Sequence, residues 1–151
     1  MALDRQTEMT PSETDAFLGR HETGVLALAR ADDPYAVPIS YGYDSTARRF
    51  FLRLVSTPQS EKRRFLASSP ASRLVVYDEH DDTYESVVAT GHLTEIAPAD
   101  LSVERIEQYG QSKRPLFEIW GEAKPNLDIK LYELEPDELS GRRVDVDRDG
   151  E

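Results

Sequence analysis

The chain has no cysteine, which excludes disulfides, thiolate metal sites and a cysteine nucleophile. Lysine is nearly as scarce: Lys62, Lys113, Lys124 and Lys130 are the only ones, against 29 acidic residues. No apolar run is long enough to span a bilayer. Met1 to Glu8 lacks the basic start and apolar stretch of a secretory signal. A soluble cytoplasmic protein with no membrane partner is therefore the expectation. A net charge of −11 repels phosphate backbones over most of the surface and argues against nucleic acid as a partner. There is no internal repeat, no Gly-x-Gly-x-x-Gly and no P-loop. His21, His80 and His92 are far apart without metal-ligand spacing, so no metal site is expected. Glu79, Asp81, Asp82 and Glu85 around His80 read as a solvated hairpin tip.

Acidic excess with scarce lysine is the pattern of proteins that stay hydrated in molar salt, where screening removes most self-repulsion. It points to a halophilic source; an ordinary acidic protein with a charged tail has the same composition. At 151 residues the chain is long enough for one domain with a real core. That domain is assigned to residues 1–141, and the charged stretch 142–151, lacking apolar support, to a disordered tail or frayed strand.

What the sequence does carry is concentrated in Ser56-Thr57-Pro58-Gln59-Ser60-Glu61-Lys62-Arg63-Arg64. A strand-like run, Arg49 to Val55, precedes it, and a helix-like run, Phe65-Leu66-Ala67, follows. Thr57 suits a helix cap and Pro58 the first helical position. A helix start presents unpaired N–H groups and the positive end of the dipole, poor ground for Lys62, Arg63 and Arg64 unless an anion sits nearby. Hydroxyls, N–H groups and a lysine together suit a phosphate monoester. The alternative is a solvated basic face on a short helix.

Around this segment the pattern predicts an antiparallel barrel. Thr10-Pro11-Ser12-Glu13 is a capping box opening a helix to about Arg20. Strands are predicted at Gly24–Ala29, Tyr35–Tyr43, Arg49–Val55, Ser72–Tyr77, Tyr84–Ile96 and Leu127–Leu134. Pro38 requires an edge, a bulge or a place where something other than a strand docks, and Gly91 marks a bulge. Helices are expected at Ala99–Tyr109 and Pro115–Trp120. The expected fold class is mainly β (α+β), a six-stranded antiparallel split β-barrel with short flanking helices.

Four segments, in order and spacing, carry a resemblance: Gly24-Val25-Leu26-Ala27-Leu28, Pro34-Tyr35-Ala36-Val37-Pro38-Ile39-Ser40-Tyr41, Ser60-Glu61-Lys62, and Ser86-Val87-Val88-Ala89-Thr90-Gly91. Over roughly residues 10–135 the chain resembles the pyridoxamine 5′-phosphate oxidase-like flavoproteins. The resemblance implies a split barrel, a homodimer, and FMN in a groove at the dimer interface. It places Pro38, Ile39, Ser40 and Tyr41 along the isoalloxazine ring and Ser56, Ser60 and Lys62 at the phosphate. It puts Ser86 and Val87 on the strand lining the groove, and Trp120 as a contribution from the second subunit. The implied activity is that of a flavin-dependent oxidoreductase on a small molecule; no catalytic side chain is singled out, since the flavin carries the redox chemistry.

The chain departs from that family's pattern in three places. The Arg-x-His element of the oxidases proper is missing, since no histidine follows His92. Glu61 replaces a phosphate-binding arginine. Val55 stands about where nitroimidazole-resistance relatives place a histidine. Neither vitamin B6 oxidation nor nitroreduction carries over, and a non-catalytic module binding flavin, deazaflavin or haem is the alternative.

Overall fold

The computed structural model describes residues 5–56, 61–67, 71–97, 99 and 128–146. They form β1 (Arg5–Glu8), α1 (Pro11–Arg20), β2 (Thr23–Arg30), β3 (Asp33–Ser40), β4 (Gly42–Asp44), β5 (Arg49–Ser56), α2 (Glu61–Leu66), β6 (Ala71–His80), β7 (Thr83–Glu95) and β8 (Asp128–Asp145). The strands form one antiparallel sheet in the order β3-β2-β6-β7-β8-β5-β4, with β1 added to β8. The two ends of that path, β3 and β4, are separated in sequence by Tyr41 alone. A sheet whose opposite edges are one residue apart has to curl until they meet. That is a split barrel.

Eight strands are present among the described residues, where the apolar pattern predicts six. The difference is physical. The run Tyr35 to Tyr43 breaks at Tyr41, where the chain turns from one edge to the other, and Arg5–Glu8 pairs only because β8 extends to receive it. β8 runs 18 residues, far past Leu134, and includes Arg142–Asp145, the start of the stretch read as a tail. Glu135-Pro136-Asp137-Glu138 hides this continuation. The ladder to β7 shifts there, with Gly91 opposite Pro136 and Thr90 opposite Glu138, so Asp137 is the extra residue of a bulge. Gly91 is required at that point: a Cβ would lie 2.8 Å from the Glu135 carbonyl oxygen.

Strand alternation builds the core. Leu26, Leu28, Ile39, Phe50, Leu52, Leu54, Leu74, Val76, Val87, Ala89, Leu93 and Leu134 all point inward and are fully or almost fully buried. Pro38 lies on β3, an edge strand of the sheet, where its missing N–H costs no ladder bond. The helix α1 closes one end, inserting Phe17 and Leu18 into the core. Its capping box is formed: Glu13 N–H donates to the Thr10 hydroxyl at 3.1 Å and Thr10 N–H to the Glu13 carboxylate at 3.0 Å. Thr10→Ala should cost about 1 kcal/mol, read as a shifted urea midpoint with an unchanged slope. At the other end Phe65 of α2 is buried and stacks on Tyr35, with ring centroids 5.3 Å apart. Apart from Ala99, the two helices predicted between residues 99 and 120 lie outside the described residues.

Candidate functional site

The outer face of the sheet has a composition of its own. In register across β3, β2, β6 and β7 stand Pro38, Val25, Val75 and Val88; one row along stand Ala36, Ala27, Arg73 and Thr90. Apart from Arg73 and Thr90, these are small or apolar side chains on the face turned away from the barrel core. A shallow groove of about 390 Å³ crosses it, bordered by Ala27, Ala29, Ala71, Gly91 and His92.

Two of the residues expected around a ligand reach this outer face, Pro38, which is exposed, and Ser86, which is half-buried; Ser40, two positions from Pro38 along β3, is buried. Ile39, Tyr41 and Val87 are buried in the core, so on the outer face they present backbone. Ser56 ends β5 and Lys62 is the second residue of α2, so both stand at the β5–α2 junction. Ser60, between them, and Trp120 lie outside the described residues. Ser40 and Ser86 are separated by β2 and β6. That is three strand spacings, about 14 Å, so one copy of the chain does not bring them together.

Ser40 is the most informative of the set. It is 2 % exposed, and its Oγ has no hydrogen-bond partner. An orphaned buried hydroxyl costs free energy unless something outside the protein completes it. Its neighbour Tyr41 is the opposite case: the phenol donates to the Leu18 carbonyl at 2.9 Å. Burial, then the nearby Tyr43 and Glu22, push the Tyr41 phenol far above its ordinary range. Tyr41 is thus a fixed corner, not an acid or base. Tyr43 donates to Asp15 at 2.6 Å and is likewise pushed up, by burial first and then by that bond.

The charged groups form a collar around α1, away from the outer face. Glu85, 4 % exposed, receives Arg20 on one oxygen and Arg143 on the other, both at 3.2 Å. Arg143 also reaches Glu13 at 3.1 Å. His21 Nε2 lies 3.1 Å from Asp78, and its Nδ1 lies 2.8 Å from the Phe17 carbonyl, one of the acceptors α1 leaves open at its C-terminus. The His21 ring, and next the Glu79 N–H, hold the Asp78 carboxyl below its usual range. The Thr10 N–H, then Arg143, lower that of Glu13. Both groups therefore favour the folded state above the ordinary carboxylate range near pH 4, and that contribution is lost as pH falls through their lowered values. A pH series of thermal melts should stay level from neutral pH to about 4.5 and drop below it. Asp78→Asn should make the drop shallower.

An antiparallel sheet whose two edge strands are joined through one residue defines the class: a split barrel. Residues 10–143 match the pyridoxamine 5′-phosphate oxidase family, and the chain belongs to it. Solved structures agree on the fold. A FAD-binding protein from Mesorhizobium loti superposes with a TM-score of 0.72 at 22% identity, covering 93% of this chain and 98% of its own. The FAD binding protein from Mycobacterium smegmatis gives 0.65 at 14% identity, covering 91% and 97%. A heme binding protein from Mycobacterium smegmatis gives 0.60 at 14% identity, covering 88% of this chain and 54% of its own. No curated protein matches the chain.

Proposed function

We propose that the chain is an FMN-binding flavoprotein that acts as a homodimer and transfers electrons to or from a small molecule. The observation that carries this reading is Ser40: a buried hydroxyl without a protein partner, on an edge strand, beside the exposed Pro38 that has no N–H to offer another strand. A planar ring laid against that edge would complete the hydroxyl and meet the apolar Pro38, Val25 and Val75. Ser56, Ser60 and Lys62, at the junction of β5 and α2, are assigned to the phosphate. Bound FMN would supply hydride or single-electron transfer; the protein's part is to orient the ring and exclude water.

A second copy is in keeping with the separation of Ser40 and Ser86, about 14 Å apart in one chain, and Ser86 is assigned to a ligand held at Ser40 of another subunit. The alanines and valines beside Arg73 on the outer face suit packing against its own copy, because small side chains let two sheets approach closely. Trp120 is assigned to the same contribution.

The test is an absorbance spectrum of protein purified in molar KCl, with mass spectrometry of what denaturation releases. Flavin bands and released FMN support the reading. A Soret band would replace it with a haem carrier, for which His92 beside the alanine-lined groove is the candidate ligand. Lys62→Ala should lower FMN retention roughly ten-fold or more, the scale of one charge-assisted phosphate contact, measured as flavin per protein after gel filtration. Unchanged retention removes Lys62 from the phosphate site.

A further inference from the structure

The outer face ends, toward the Asp81–Asp82 hairpin, in a row of a different kind. Tyr77 on β6 stands opposite Ser86 on β7, Ser86 opposite Arg142 on β8, and Arg142 opposite Glu8 on β1. Tyr77 is 69 % exposed, and among the described residues it is the one large hydrophobic side chain left in solvent. Arg142 and Glu8 are both exposed, directly opposite in register, and yet form no ion pair. Around α1 the pattern is the reverse, since Arg20, Arg48 and Arg143 are each held by a carboxylate. Next to Arg142 a polar groove of about 520 Å³ opens, continued by Ser140 and Glu138.

We infer that this row is a binding site for a small aromatic zwitterion of the α-amino-acid type. Its chemistry is laid out in order along the row. A guanidinium takes a carboxylate in two parallel hydrogen bonds. Glu8, one cross-strand interval away, about 5 Å between Cβ atoms, takes the ammonium borne on the same carbon. The Ser86 hydroxyl lies between Arg142 and Tyr77, and the Tyr77 ring offers a face for stacking. A purely anionic ligand is disfavoured, because Glu8 stands opposite Arg142 and Glu138 lines the same groove, and both would repel it. A purely cationic one leaves Arg142 unanswered. Opposite charges held side by side without joining suit a ligand that brings both.

The site shares Ser86 with the flavin reading but takes its charges from Arg142 and Glu8, which that reading does not use, and its test separates the two. Calorimetric titration of the full chain, in KCl sufficient to keep it folded, compares L-phenylalanine with 3-phenylpropionate, which lacks the ammonium, and with 2-phenylethylamine, which lacks the carboxylate. L-Phenylalanine should bind saturably, with each analogue roughly ten-fold weaker or worse. Arg142→Ala should lose roughly ten-fold in phenylalanine affinity with circular dichroism and flavin content unchanged. Glu8→Gln should abolish the preference over 3-phenylpropionate. Absence of saturable phenylalanine binding, or equal affinity for 3-phenylpropionate, overturns the proposal. So does an Arg142→Ala variant that keeps its phenylalanine affinity and instead shifts the sedimentation of the protein, which would assign Arg142 to contact between copies. Flavin content in the same samples reports separately on the function proposed above.

Discussion

Phe17→Ala should lower unfolding free energy by about 3–5 kcal/mol, the range for removing a fully buried aromatic ring from a core. Phe17 is 0 % exposed and is the deepest point of the helix that closes the barrel. Its ring also carries neighbours with it: His21 packs edge-on at 4.2 Å between centroids, and the Arg20 guanidinium sits 5.2 Å above the ring. Truncation therefore opens a cavity and loosens the two side chains that tie α1 to Asp78 and Glu85. Urea unfolding followed by circular dichroism measures it. A loss under 1 kcal/mol would mean that α1 is a lid resting on the barrel and not part of its core.

Glu85→Ala should be the most damaging of the charge removals, at about 2–3 kcal/mol. The carboxylate is 4 % exposed and answers two arginines. Breaking a fully buried pair costs about 3–5 kcal/mol because the other charge is stranded. Here the arginine side chains, 53% and 33% exposed, recover part of their hydration, so the lower figure applies. Arg48→Ala is the matched control. Its pair with Asp15 joins a side chain 48% exposed to one 20% exposed, and its loss should cost no more than about 1 kcal/mol. Molar KCl should erase the control's effect and leave most of the Glu85 effect, since mobile ions do not reach a carboxylate enclosed by protein. Thermal melts of both variants at low and high KCl make the comparison. Equal salt sensitivity would remove the enclosed-carboxylate account.

Local rules carried far in this chain, and they failed where tertiary context took over. Thr10, Pro11 and Glu13 mark their helix start unaided because capping needs only residues three apart. Pro38 announces an edge and Gly91 a bulge, since each reflects a backbone constraint independent of neighbours. The end of β8 was hidden for the opposite reason. Glu135-Pro136-Asp137-Glu138 has no strand character of its own and is held extended by β7, through a bulge that discards Asp137. Glu85 reads as part of a solvated hairpin, and nothing nearby in sequence reveals that Arg20, 65 residues away, will enclose it. The same limit applies to the candidate site. As site residues, Pro38, Ser40 and Ser86 entered through the family resemblance alone; that Pro38 and Ser86 face outward and that the Ser40 hydroxyl is orphaned are seen only in the folded chain. Ile39 and Val87 point inward, so a ligand outside the barrel meets only their main chain.

The corner at Tyr41 has a mechanical consequence. Between β3 and β4 the barrel is fastened by covalent chain and not by a ladder, so the seam cannot be unzipped one hydrogen bond at a time. It can only hinge, and the pivot is a residue whose phenol is tied to the last turn of α1 through the Leu18 carbonyl. The corner is thereby tied to the seating of the N-terminal helix, and amide exchange along the β3 edge should rise and fall with exchange in α1.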